Sequence, residues 1–167
     1  MYIGKRQYIE DTFDVSERYS LIAQKDEDAA VALEDKGLFN QAGYFYIQSM
    51  EKHIKAHIAK KIDLMNPHFA DEMKRTMGHS LDESLKLLFK LYSGNDDTLF
   101  SHLYQQMIHQ VFQDVKFAAL HNKVRYPTYD SRHKKYTDLL LGKDDCHTLS
   151  NMLSLLKQYL DNLGRIS

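Results

Sequence analysis

Apolar residues recur along most of this chain at intervals of three and four, the spacing that gathers side chains on one face of an α-helix. Five stretches show it. Tyr19, Ile22, Ala23, Ala29, Ala30 and Leu33 mark a first helix over about 16–36, with Gly37 placed to follow its C-cap. Ala42, Phe45, Tyr46, Met50, Ile54, Ile58 and Ile62 make a broad stripe on a second, over about 40–65, closed by Asn66-Pro67. A third opens at Ser80, where Ser80 and Glu83 have the S-x-x-E spacing of a capping box, and runs through Leu81, Leu85, Leu88 and Leu91 to Gly94. A fourth, from Thr98 to about Asn122, is apolar around much of its girth: Leu99, Leu103, Met107, Ile108, Val111, Phe112, Val115, Ala118 and Ala119. So wide a face predicts contacts on more than one side, either at the centre of the fold or against a partner chain. The fifth, from about Asp145 to Leu163, carries Leu149, Met152, Leu153, Leu156 and Leu160 and stops at Gly164. No stretch alternates convincingly as a strand. Most links are short, which predicts antiparallel neighbours. The exception is 123–144, a long polar link of the kind that is either functional or disordered. The pattern predicts one all-α domain over 1–167, an up-and-down bundle of about five helices with its core at about 15–163.

Composition supports this and narrows the function. Only 7 glycines and 2 prolines occur in 167 residues, too few for the tight turns of an all-β fold. A chain of this length buries enough surface to fold without a disulfide or a metal. A formal net charge of −1 implies no overall pull toward nucleic acid or an anionic membrane, so such binding would need a local patch. Cys146 is the single cysteine, which excludes an intramolecular disulfide and leans toward the cytoplasm. The first fifteen residues hold no apolar stretch suited to a secretory leader, and no run is long enough to span a membrane.

Candidate chemistry is sparse. His53 and His57 are four apart and share a helix face, as in a two-histidine metal clamp. Ile54 stands where a zincin would place Glu, however, and the neighbouring lysines read more simply as a polar face. No metal and no cofactor are expected. Arg75 and His79 precede the Ser80 cap, where a histidine serves more often to fix the chain's entry into the helix. Cys146 has only His147 beside it, and adjacent helical residues do not face one another. The stretch "RYPTYDSRH", 125–133, is the most informative. Pro127 biases Tyr126 to extended geometry, so the fourth helix should end near Arg125. A guanidinium there can bond the free terminal carbonyls. The same stretch, with Arg125, Arg132, His133, Lys134 and Lys135 among Tyr126, Tyr129 and Tyr136, also suits a nucleotide or single-stranded RNA.

Three segments together resemble the HEPN family (higher eukaryotes and prokaryotes nucleotide-binding). "ALEDKGLFNQAGYFYIQSMEKHIKAHI" is similar to the family's first hairpin, with Gln48, Glu51, Lys52, Lys55 and Ala56 matching a Q-x-x-E-K-x-x-K-A core. "GHSLDESLKLL" resembles its H-x-L segment through His79 and Leu81. "RYPTYD" resembles an R-Y-P-D element through Arg125, Tyr126 and Pro127. The resemblance implies a helical bundle, commonly a homodimer, that binds a nucleotide, RNA or a nucleotidyltransferase partner protein. It points to Arg125 and Tyr126 as ligand contacts, with His79, Lys52 and Arg132 behind them. Many members are toxins or defence ribonucleases that carry Arg followed after four to six residues by His. This chain departs from that pattern: Arg125 and His133 are separated by seven residues, and Arg75 and His79 by three. Lys116 and His121 are the nearest fit, with Lys for Arg. The resemblance therefore implies a non-catalytic module. The alternative is a metal-independent ribonuclease toxin of a toxin–antitoxin or defence system, using Lys116 and His121, or Arg125 and His133. A purely structural interaction module is a third reading.

Overall fold

A computed structural model describes residues 3–5, 8–9, 11–72, 74 and 80–163. Among these it has seven α-helices, a π turn and one β-hairpin: α1 (Thr12–Asp35), α2 (Phe39–Ala59), α3 (Pro67–Glu72), α4 (Leu81–Ser93), α5 (Asp97–Gln106), the π turn (Met107–Val111), α6 (Phe117–Lys123), β1 (Thr128–Asp130), β2 (Lys135–Thr137) and α7 (Lys143–Leu163). The stop expected at Gly164 lies outside the described residues.

The chain reverses between α1 and α2 at Gly37, which takes φ 72°, open to glycine at no steric cost. The Leu38 amide donates to Leu33 O and the Gly37 amide to Glu34 O, both at 2.9 Å, the paired bonds of a Schellman ending. Polar contacts then zip the hairpin shut. Tyr46 bonds Glu34, Lys52 bonds Asp26, the Ser49 hydroxyl donates to Ala23 O and the Ser16 hydroxyl to Ala56 O. From Glu34–Tyr46 at one end to Ser16–Ala56 at the other, the α1 number falls as the α2 number rises, so α1 and α2 are antiparallel. Helix α7 instead runs parallel to α2. The Cys146 thiol donates to Phe39 O, and farther along His53 and His57 face Lys157 and Asp161.

Helix α2 is the centre of the molecule. It packs against α1, α4, α6 and α7, and most of its length is buried, including Gln48, Glu51 and Lys55. The apolar pattern points to the fourth helix for a central place or a partner face; within the chain the central place falls to α2 instead. The expected single helix from Thr98 to Asn122 is broken into α5, the π turn and α6, with Gln113 (φ 48°) and Asp114 (φ 63°) left-handed between them. Geometry gives the reason. At about 100° per residue, Met107, Phe112 and Phe117 would scatter around a straight helix. The π turn and the left-handed pair re-aim them, so that Met107, Val111, Phe112 and Phe117 are all at most 4% exposed. The rings of Phe112 and Phe117 meet edge to face at 4.9 Å. Part of the wide apolar face is thus consumed inside the fold, while Leu99 stays exposed.

Two further differences matter. The second helix ends at Ala59, and α3 starts at Pro67, a residue favoured in a first helical turn. The 123–144 link, expected to lack strands, carries the β1–β2 hairpin, with Thr128, Tyr129 and Asp130 opposite Thr137, Tyr136 and Lys135. Strands of three residues leave too short a pattern to read. The Ser80 cap is present: its side chain accepts from the Glu83 amide at 3.3 Å.

One side chain holds both roots of that link. Asn40, in the first turn of α2, donates to Val124 O (3.3 Å) and Leu139 O (2.7 Å), and its carbonyl accepts from the Leu141 amide (2.7 Å). Leu141 seats against Gly43, where an added Cβ would collide with Leu141 Cδ1. Asn40→Ala removes three partly buried bonds at about 1 kcal/mol each, so a loss of roughly 3 kcal/mol is expected by chemical denaturation. Amide exchange should accelerate selectively over 124–141 and not in α1 or α7. An Asn40→Asp variant sets a carboxylate oxygen against Val124 O and Leu139 O and should be no more stable than Asn40→Ala.

Candidate functional site

The end of α6 and the exposed face of α2 build the site. The end of α6 is fixed by Pro127, which keeps Tyr126 out of helical geometry and bars a further turn. The amides of Arg125 and Tyr126 both donate to Asn122 O at 3.1 Å as the helix unwinds. The Arg125 side chain turns back along the helix, with Nη2 donating to Asn122 Oδ1 (3.2 Å) and Nε to His121 O (3.4 Å). This is the capping role that the sequence suggests. Its guanidinium also lies over two rings, 5.0 Å from the centroid of Tyr44 on α2 and 4.9 Å from that of Tyr126. Arg125 and Tyr126 are exposed and Tyr44 is half-buried, so this cation–aromatic group opens to solvent.

His121, one turn back, has its ring 5.5 Å from the Tyr44 ring. Its Nε2 is 2.9 Å from Gln48 Nε2. Lys52 Nζ donates to Gln48 Oε1 at 3.0 Å, which fixes the amide with its NH₂ toward His121. His121 Nε2 therefore accepts, and in the neutral ring the proton sits on Nδ1. Lys52 in turn pairs with Asp26 at 2.5 Å. Beneath them Lys55 and Glu51 form a buried ion pair at 2.6 Å, with side chains 9% and 3% exposed. The result is a polar spine through the apolar centre: Asp26–Lys52–Gln48–His121 at the surface side, and Glu51–Lys55 inside.

The other sequence candidates fall elsewhere. Lys116 is the N-cap of α6, about 140° around from His121 if the helix is extended to it. It lines a separate recess of about 500 Å³ with Lys86, Tyr104, Ile108 and Val115, while His121 faces Gln48. His133 Nδ1 pairs with Asp130 Oδ2 at 2.6 Å in the hairpin turn, and the Asp130 carboxylate, held below its usual range by that bond, also accepts the Arg132 and His133 amides. The Arg125 side chain engages Asn122, His121 O and the two rings instead. Neither basic–histidine pair of the ribonuclease alternative thus shares partners. Arg75 and His79 lie outside the described residues.

His53 and His57 are not on a solvated polar face, contrary to the sequence reading; both are partly buried between α2 and α7. The His57 Nδ1–H donates to His53 O at 3.1 Å. Burial, and Lys157 nearby, push His53 down to about 4. Among the described residues no group of three or more His, Cys, Asp or Glu could hold a metal, and no helix is long and apolar enough to cross a membrane. Cys146 is buried, and burial raises its thiol to about 11, far from a nucleophile's range. Sequence reasoning missed Asn40 and Tyr44, whose partners lie about eighty residues or more away; nothing local in the sequence marks either. No family model matches the chain, and neither a curated protein nor a solved structure does.

Proposed function

We propose that the chain is a non-catalytic HEPN-type helical module, acting as a homodimer in the cytoplasm, that binds a nucleotide or RNA at Arg125 and Tyr126. A nucleotidyltransferase-type partner protein is the alternative to the nucleotide or RNA within the same reading. The observation that carries this reading is the Arg125 guanidinium held at the surface between Tyr44 and Tyr126, beside His121. A cation with two ring faces provides both phosphate attraction and base stacking. The order of Gln48, Glu51, Lys52 and Lys55 on the helix facing that group adds to the resemblance. The separate surroundings of Lys116 and His121, and of Arg125 and His133, speak against those two pairs as the catalytic groups of a ribonuclease.

Thermal unfolding against mononucleotides and short RNAs tests it, with Arg125→Ala alongside. A ligand at about a hundred times its Kd should add about 2.7 kcal/mol to the native state. That gain should vanish in Arg125→Ala while the variant still folds. No stabilisation by any nucleotide or RNA would defeat the ligand reading and leave a protein-interaction role.

A further inference from the structure

The arm that follows Arg125 carries a second set of observations. Tyr129 and Tyr136 sit directly opposite one another on the hairpin, rings 5.4 Å apart at 63°, and are 55% and 73% exposed. Tyr126, at the root of the arm, is 59% exposed. These rings bury nothing in the core. A two-stranded hairpin is marginal in water by itself, and this one is held by its own Asp130 turn, the Thr137–Thr128 bond and the Asn40 clamp. Aromatic surface kept in water on such an element contributes little to folding and is suited to a ligand. The charges agree. Lys123, Arg125, Arg132, Lys134 and Lys135 all lie within 123–135, against the single carboxylate of Asp130, which is engaged by His133. On a chain of net charge −1, this is a concentrated positive strip.

From these features we infer that the 126–137 arm is a stacking platform for single-stranded nucleic acid, so that the ligand is a strand of several nucleotides and not a mononucleotide. The inference rests on the nucleotide reading of the Arg125 site and specifies its ligand. Tyr126 and Tyr129 are at most about 10 Å apart along extended backbone, a span of about three stacked nucleotides at about 3.4 Å each. A duplex hides its base faces and cannot use the rings. An acidic peptide satisfies the lysines but offers no planar face to stack.

Fluorescence anisotropy with the intact protein tests this. The probes are UMP as competitor, oligouridylates of three, six and twelve nucleotides, a twelve-nucleotide oligothymidylate, a twelve-base-pair duplex and a twelve-residue poly-glutamate. Affinity should rise at least tenfold from UMP to the six-nucleotide strand and exceed that for the duplex. Tyr129→Ala/Tyr136→Ala should weaken the six-nucleotide strand tenfold or more, while Tyr129→Phe/Tyr136→Phe keeps it. Lys134→Gln/Lys135→Gln should flatten the log Kd against log salt slope by about 1.4. Tighter binding of oligouridylate than oligothymidylate supports the inference and assigns RNA; the reverse supports it and assigns DNA. The inference is overturned, with the nucleotide reading intact, if UMP competes as well as the hexamer or if the double alanine variant binds the hexamer normally. Equal binding of duplex or poly-glutamate overturns it in favour of bare electrostatics. Binding of no nucleic acid probe at all removes both readings together.

Discussion

Lys55→Met is expected to destabilise the protein by about 3 kcal/mol, the range for stripping one partner from a buried ion pair. At this chain length that lowers the melting temperature by roughly 10 °C. The reason is Glu51, only 3% exposed at its side chain and 2.6 Å from the lysine. Without Lys55 its charge loses a cation that helps to offset its desolvation. Glu51→Leu/Lys55→Met removes both charges and should recover most of the loss, because a well-packed apolar pair is often as stable as the ions it replaces. Equilibrium denaturation of the two single variants and the double variant measures this. A single variant within about 1 kcal/mol of the parent would mean that water reaches Glu51.

Acid should destabilise the protein through His53. Its folded value of about 4 lies below the ordinary 6.5, because the ring is desolvated and Lys157 is near. The facing groups are Glu27 on α1, His57 on α2, and Lys157 and Asp161 on α7, with Lys157 paired to Glu27 at 2.8 and 3.0 Å. Between pH 6.5 and about 4 the unfolded chain binds the proton and the folded chain resists it, so stability rises with pH across that window. The contribution is complete above 6.5 and is lost progressively as pH falls to about 4. Its size is about 2 kcal/mol after allowance for the ring's partial solvation. His57 is lowered for the same reason and acts in the same direction. His53→Leu should flatten the slope between pH 6.5 and about 4. The effect of Asp130, a carboxylate held down by His133, should remain at lower pH. An unchanged slope in His53→Leu would assign the acid sensitivity to other groups.

What the sequence made legible follows from range. Gly37, Ser80 and Pro127 act on their own neighbours, so the ends they set for α1, α4 and α6 could be read locally. The long apolar stripes of α1, α2 and α7 repeat often enough to identify those helices. The break at 107–117 could not be read, because the same apolar residues satisfy a straight helix until the packing of Phe112 and Phe117 decides otherwise. The same holds at the site. That Arg125 would cap a helix followed from Pro127, but its stacking on Tyr44 depends on how α6 lies across α2. In the same way, Gln48 and Lys52 stood out by resemblance, while the His121 bond that joins them to the site required the folded chain.

The Asn40 clamp has one more consequence. Val124 O and Leu139 O share one amide nitrogen, at 3.3 and 2.7 Å, so they are no more than about 6 Å apart. The whole excursion between them leaves and re-enters the bundle at a single point, like a cassette plugged into a socket. Replacing 126–138 by a short turn, with Arg125 kept on α6 and Tyr44, should leave the helices in place. The bundle and the arm thus meet at one polar joint, through which any movement of the arm has to pass.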